Sequence, residues 1–116
     1  HGVAAGKNFF RSGSCGPWIV TSDLLPDPSA LSVTTRVNGE QRQNSGVSEM
    51  IFSVEELLAY MSQIMPLEPG DIIATGSPEG TGGSMEPPVW LSAGDHVEFE
   101  VPGIGVLQNS VVDEAI

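Results

Sequence analysis

The dipeptide Asn38-Gly39 is the tightest constraint on how this chain can fold. Both residues readily take the positive φ angles of a type I′ turn, whose twist matches two antiparallel strands. Before it, Leu31, Val33, Thr35 and Val37 alternate with more polar neighbours at period 2. After it, Glu40-Gln-Arg-Gln-Asn44 reads as the polar returning strand. These patterns predict a hairpin over residues 31–44.

Fourteen Gly and nine Pro make up about a fifth of the chain, well above ordinary usage, so short elements and many turns are expected. The helical signal lies between Ser53 and Ile64. Ser53-Val-Glu-Glu56 is a capping box, and Val54, Leu57, Leu58, Met61 and Ile64 recur at helical spacing, a stripe predicted to face a core. Pro66 forbids further extension. Strands are predicted over 17–21, 71–75, 96–101 and 104–112, with turns at Gly70-Asp71, Gly94-Asp95 and Pro102-Gly103. One module spanning residues 1–116, α+β and mainly β with one helix near 54–64, is the fold class these patterns support.

Lys and Arg total 4 against 15 acidic residues, a formal charge of −11. Such a polyanion gains nothing from releasing the counterions of a nucleic acid, and an anionic membrane repels it. Neither is an expected partner. A single cysteine, Cys15, excludes an internal disulfide framework and a cysteine zinc cage. No apolar run approaches the roughly 18 residues that span a bilayer, and no basic segment leads into an apolar stretch. The chain is expected in the cytoplasm.

Two segments carry candidate chemistry. Lys7, beside Gly6 and before Phe9-Phe10, is a cation that apolar neighbours can partly desolvate and aim at an anion. A surface lysine with its stem on the aromatics is the plainer account of it. The loop Thr75-Gly-Ser-Pro-Glu-Gly-Thr-Gly-Gly83 offers hydroxyls and backbone amides of the kind that cradle a carboxylate or phosphate, without the lysine of a Walker loop. His96, Glu98 and Glu100 share one strand face, where solvated charge is simpler than an ion site. Cys15 has no evident histidine partner, and no G-x-S-x-G elbow occurs. On these residues alone the reaction stays open.

The same segments, in order, resemble the C-terminal part of the fumarylacetoacetate hydrolase family. They are Gly6-Lys-Asn-Phe9, Gly16-Pro-Trp-Ile-Val20, Arg36-Val-Asn-Gly-Glu40 with Gln43, Met50-Ile-Phe-Ser53, Leu67 to Gly76, Pro87-Pro88, Ala93-Gly-Asp95 and Gly103 to Asn109. The resemblance implies part of a mixed β-sandwich roll, a homodimer, and Mg²⁺- or Mn²⁺-dependent chemistry on small 2-oxo acids. It implies hydrolysis of a C–C bond of an acylpyruvate through a metal-bound enolate. Isomerisation, decarboxylation or dehydration remain the alternatives within the family. By position it assigns Lys7 to catalysis and substrate binding, and Gly76 and Ser77 to substrate binding. Ser77 stands where the family usually has threonine, and keeps the hydroxyl. Phe10 replaces a common aspartate, and Cys15 a usual leucine or methionine. The family's carboxylate metal ligands lie ahead of the Gly-Lys-Asn-Phe motif, so they are expected upstream of His1, with this chain the distal part of the catalytic domain. The other reading is a truncated, non-catalytic remnant that acts as an oligomerisation or binding module.

Overall fold

The computed structural model describes Lys7, Asn8 and residues 11–114. Its frame is a four-stranded antiparallel sheet built from two hairpins. Strand β1 (Ser32–Val37) turns directly into β2 (Glu40–Gly46). Asn38 has φ 52° and Gly39 φ 81°, the two positive angles predicted for the turn. Strand β3 (His96–Val101) pairs with β1 and turns into β4 (Gly105–Ser110), giving the order β2-β1-β3-β4. Between the hairpins runs one helix, α1 (Val54–Ile64). The expectation of a mainly β, α+β fold is met, with α1 the α-helix among the described residues.

The register makes the sheet two-faced. Thr35 stands opposite both Gln43 and Phe99, Val37 opposite Val97, and Phe99 opposite Leu107. Alternation puts these side chains on one face and Arg36, Glu98, Glu100 and Gln108 on the other. Val97 and Thr35, each 6% exposed, mark the centre of the core that the described residues form. On the polar face Arg36 pairs with Glu100 at 2.7 Å, and Gln108 donates to Glu98 at 2.8 Å. The acids of β3 are thus engaged by neighbours on adjacent strands.

Two predicted strands are corrected. Residues 17–21 and 71–75 belong to no sheet, and Ile19 and Ile72 are 87% and 77% exposed. A strand exists only through its ladder, and neither segment meets a free sheet edge among the described residues. Residues 17–18 instead lie across the second hairpin turn: Trp18 Nε1 donates to the Ile104 carbonyl at 2.5 Å, and its ring covers Gly105. The last strand is also shorter than predicted, ending at Ser110.

Helix α1 begins where the capping box puts it. The Ser53 hydroxyl accepts from the Glu56 amide at 3.2 Å, and Glu56 Oε2 accepts from the Ser53 amide at 2.8 Å. Its apolar stripe is less covered than predicted: Val54, Leu57 and Met61 are half-buried, whereas Leu58 and Ile64 are exposed. Periodicity sets which residues share a face, not what packs on it. Ser53→Ala removes the cap acceptor and is expected to cost about 1 kcal/mol. Thermal unfolding followed by far-ultraviolet circular dichroism checks this, and an unchanged midpoint refutes it.

Candidate functional site

The glycine-rich segment 75–83 folds back against β2. Gly76 has φ 108°, in the left-handed region that disfavours a side chain. Two residues on, the Gln43 side chain reaches up from β2, and its Nε2 donates to the carbonyls of Pro78 at 2.8 Å and Glu79 at 3.2 Å. Gly80, with φ 92°, then lies so close to β2 that a Cβ there would overlap the Arg42 carbonyl oxygen. Further along, a Cβ on Gly82 would overlap the Val89 carbonyl oxygen, and the Val89 amide donates to the Gly82 carbonyl at 2.9 Å. The segment is held by contacts at consecutive residues, not merely tolerated as flexible glycine.

Gly76 and Ser77 line an open cleft of about 540 Å³. Its opposite wall comes from the end of β2 and the turn after it, including Ser45, Glu49 and Phe52, with Val33 and Leu57 adding apolar surface. Glu49 is the charged group on that wall. Its carboxylate accepts from the Ser45 hydroxyl and from the Gly46 amide at 2.9 Å. These bonds, the hydroxyl first, favour the ionised form and hold its pKa below the ordinary 4.5. The cleft is thus bordered by the serines Ser45 and Ser77 and by two acids, Glu49 and Glu79.

A second cavity of about 410 Å³ lies under residues 80–91, between that segment and the apolar sheet face, beside Thr35, Met85, Trp90 and Val97. Arg42 borders it, with Nη1 3.4 Å from Met85 Sδ and Nη2 3.3 Å from Glu40.

Of the site residues expected from sequence, Gly76 and Ser77 come together in the cleft. Lys7 is exposed and is not among the described residues lining it; its carbonyl accepts from the Ser12 hydroxyl at 3.4 Å. Sequence reasoning did not single out Gln43, Gly80 or Glu49 as parts of the site. The available signal for Gln43 was its place on the core face of β2, where a long amide needs partners. Among the described residues, no three His, Cys, Asp or Glu side chains converge so as to hold a metal ion. Nor is any helix there long and apolar enough to cross a membrane.

The sheet and helix of this chain superpose on solved members of a known enzyme family. The family model described as fumarylacetoacetate (FAA) hydrolase C-terminal matches residues 1–112, and the chain belongs to that family, whose members include hydrolases, isomerases and tautomerases. The chain is 45% identical over 107 residues to the mitochondrial oxaloacetate tautomerase Fahd2a of Rattus norvegicus, covering 92% of this chain and 34% of the relative. A fumarylacetoacetate hydrolase from the psychrophile Exiguobacterium antarcticum superposes with a TM-score of 0.81 at 47% identity, over 85% of this chain and 35% of that one. Maleylpyruvate hydrolase from Sphingobium sp. SYK-6, solved with manganese(II) and pyruvate, superposes with a TM-score of 0.74 at 37% identity, over 84% and 34%. The chain therefore spans about a third of the length of the relatives it matches.

Proposed function

We propose that this chain is part of an enzyme that hydrolyses a C–C bond of an acylpyruvate, a small 2-oxo acid. The Gly76–Ser77 segment receives the substrate carboxylate: the Ser77 hydroxyl and neighbouring amides donate to its oxygens. Lys7, which lies outside the cleft lining, is assigned by its Gly6-Lys-Asn-Phe9 motif to the negative charge that grows on the keto oxygen as the bond breaks. The observation that carries this reading is the pinned position of the loop. Donors held before the substrate arrives need no reorganisation when charge develops. The pyruvate bound to the Sphingobium relative supports the substrate class.

The reading includes Mg²⁺ or Mn²⁺, which would supply charge stabilisation to the carboxylate and keto oxygens. The described residues of this chain do not fit such an ion, because the acids of β3 are engaged elsewhere and no ligand cluster forms. Its ligands are sought in the part of the relatives' length that the chain does not span. A homodimer in the cytoplasm completes the proposal; exposed Ile51, Phe52, Tyr60 and Ile72 support an assembled form.

A second reading, interconversion of the keto and enol forms of oxaloacetate, is favoured by the identity to the rat tautomerase. Both reactions raise charge on the same keto oxygen, so the carboxylate site serves either. Pyruvate titration followed by amide resonances tests that site. Ser77→Ala is expected to weaken binding about tenfold, the worth of one hydrogen bond to a charged group, and Lys7→Met at least as much. Equal affinity in wild type and both variants would remove the assignment. Pyruvate release from an acylpyruvate supports the hydrolase, and loss of enol absorbance from oxaloacetate without release supports the tautomerase.

A further inference from the structure

The geometry points to Gln43 as the positioning residue of the Gly76–Ser77 loop. It sits on β2 opposite the buried Thr35, so its stem is fixed by the sheet. The pairing slips between Thr35 and Arg36, where Gln41 rather than Arg42 takes the next register, leaving Arg42 as the extra residue of a bulge. A bulge re-aims side chains, and here it sends two consecutive ones toward the loop. One amide nitrogen on Gln43 serves two carbonyls, those of Pro78 and Glu79, while Arg42 reaches Met85, just after the loop. Gly80 lets the loop backbone approach closely enough for both bonds: a side chain there would meet the Arg42 carbonyl and come within 3.3 Å of Gln43 Cγ.

The carbonyls of Pro78 and Glu79 turned toward β2 fix the 78–79 and 79–80 peptide planes, and so anchor the loop immediately after Ser77. Gln43 is not among the residues that line the cleft. It acts through the loop, and its value to binding rests on the carboxylate reading proposed above.

The test compares the full chain with Gln43→Met, which keeps length and loses the donor, and Gln43→Glu, which turns the donor into an acceptor facing two carbonyls. Backbone ¹⁵N order parameters at Gly76, Ser77 and Gly80 are expected to fall from about 0.85 to below about 0.6 in the Met variant, and further in the Glu variant. Values across β1, β3 and β4 stay unchanged. Pyruvate affinity falls in the same order, about tenfold for Met. Unchanged order parameters at the three loop positions overturn the proposal, and so does an equal loss in both variants, because packing of the stem alone would not distinguish Met from Glu. If wild type binds no pyruvate while the loop still loosens in the graded order, the substrate reading fails and the positioning role stands.

Discussion

Replacing Gly80 by alanine is expected to destabilise the chain by about 3 kcal/mol and lower its unfolding midpoint by about 12 °C. Two costs add. Residue 80 has φ 92°, and an L-residue held in the left-handed region loses about 1–2 kcal/mol. The new methyl would also overlap the Arg42 carbonyl oxygen, which is strand backbone of β2 and cannot swing away as a side-chain tip would. Overpacking against fixed atoms costs about 1–3 kcal/mol more. Gly76→Ala is the internal control: its φ of 108° brings the same strain, yet nothing lies within 4 Å of the added carbon. Thermal unfolding of both variants separates the terms. Equal losses would mean that the loop does not press on β2, and the clamp by Gln43 would lose its geometric basis.

The elements that could be read from sequence are those whose cause is local. Asn38-Gly39 carries its own backbone preference, and Ser53 and Glu56 satisfy amides within a single turn, so the hairpin and the helix start appear in the structure where they were expected. The Gly70-Asp71 and Gly94-Asp95 turns likewise share one local geometry: Asp71 accepts from the Glu68 amide and Asp95 from the Ser92 amide, both at 2.8 Å. The segments leaving these two turns differ for a reason that is not local. Residues 96–101 meet β1 and become a strand, whereas 71–75, with an equally strand-like composition, find no partner among the described residues. The strand order was beyond reach for the same reason, since β1 and β3 are more than 50 residues apart in sequence. In the site, composition and the family resemblance both pointed to Gly76 and Ser77. The hydrogen bonds that aim them come from Gln43, 35 residues before Pro78, and a polar residue inside a strand does not announce which carbonyls it will meet. Periodicity likewise made the stripe of α1 legible but not its cover, and Leu58 and Ile64 remain exposed.

Asn38→Ala is expected to rank beside Gly80→Ala in cost, because Asn38 joins the two hairpins as well as turning one of them. Its φ of 52° is tolerated by asparagine and strained for alanine, about 1–2 kcal/mol. Its Oδ1 accepts from the His96 amide at 2.9 Å, a bond worth about 1 kcal/mol, and its own amide donates to the His96 carbonyl at 2.8 Å. Its Nδ2 donates to Asp95 Oδ1 at 2.8 Å, so the turn of the first hairpin is fastened to the residue that leads into β3. Asn38→Gly keeps the turn and removes both side-chain bonds, so the difference between the two variants isolates the strain. The Asp95 bond also carries a pH signature. The Asn38 side chain first, then the Ser92 amide, holds the Asp95 carboxyl below its ordinary 3.8. The folded state therefore favours the ionised form, and this contribution is present above the ordinary carboxylate value and lost as pH falls through the lowered one. In Asn38→Gly the Asp95 carboxyl should titrate closer to 3.8, read from its side-chain carbon resonance, and stability should decline less between neutral and acid pH than in wild type. An Asp95 titration identical in wild type and Asn38→Gly would show that the hairpins are not fastened through this pair.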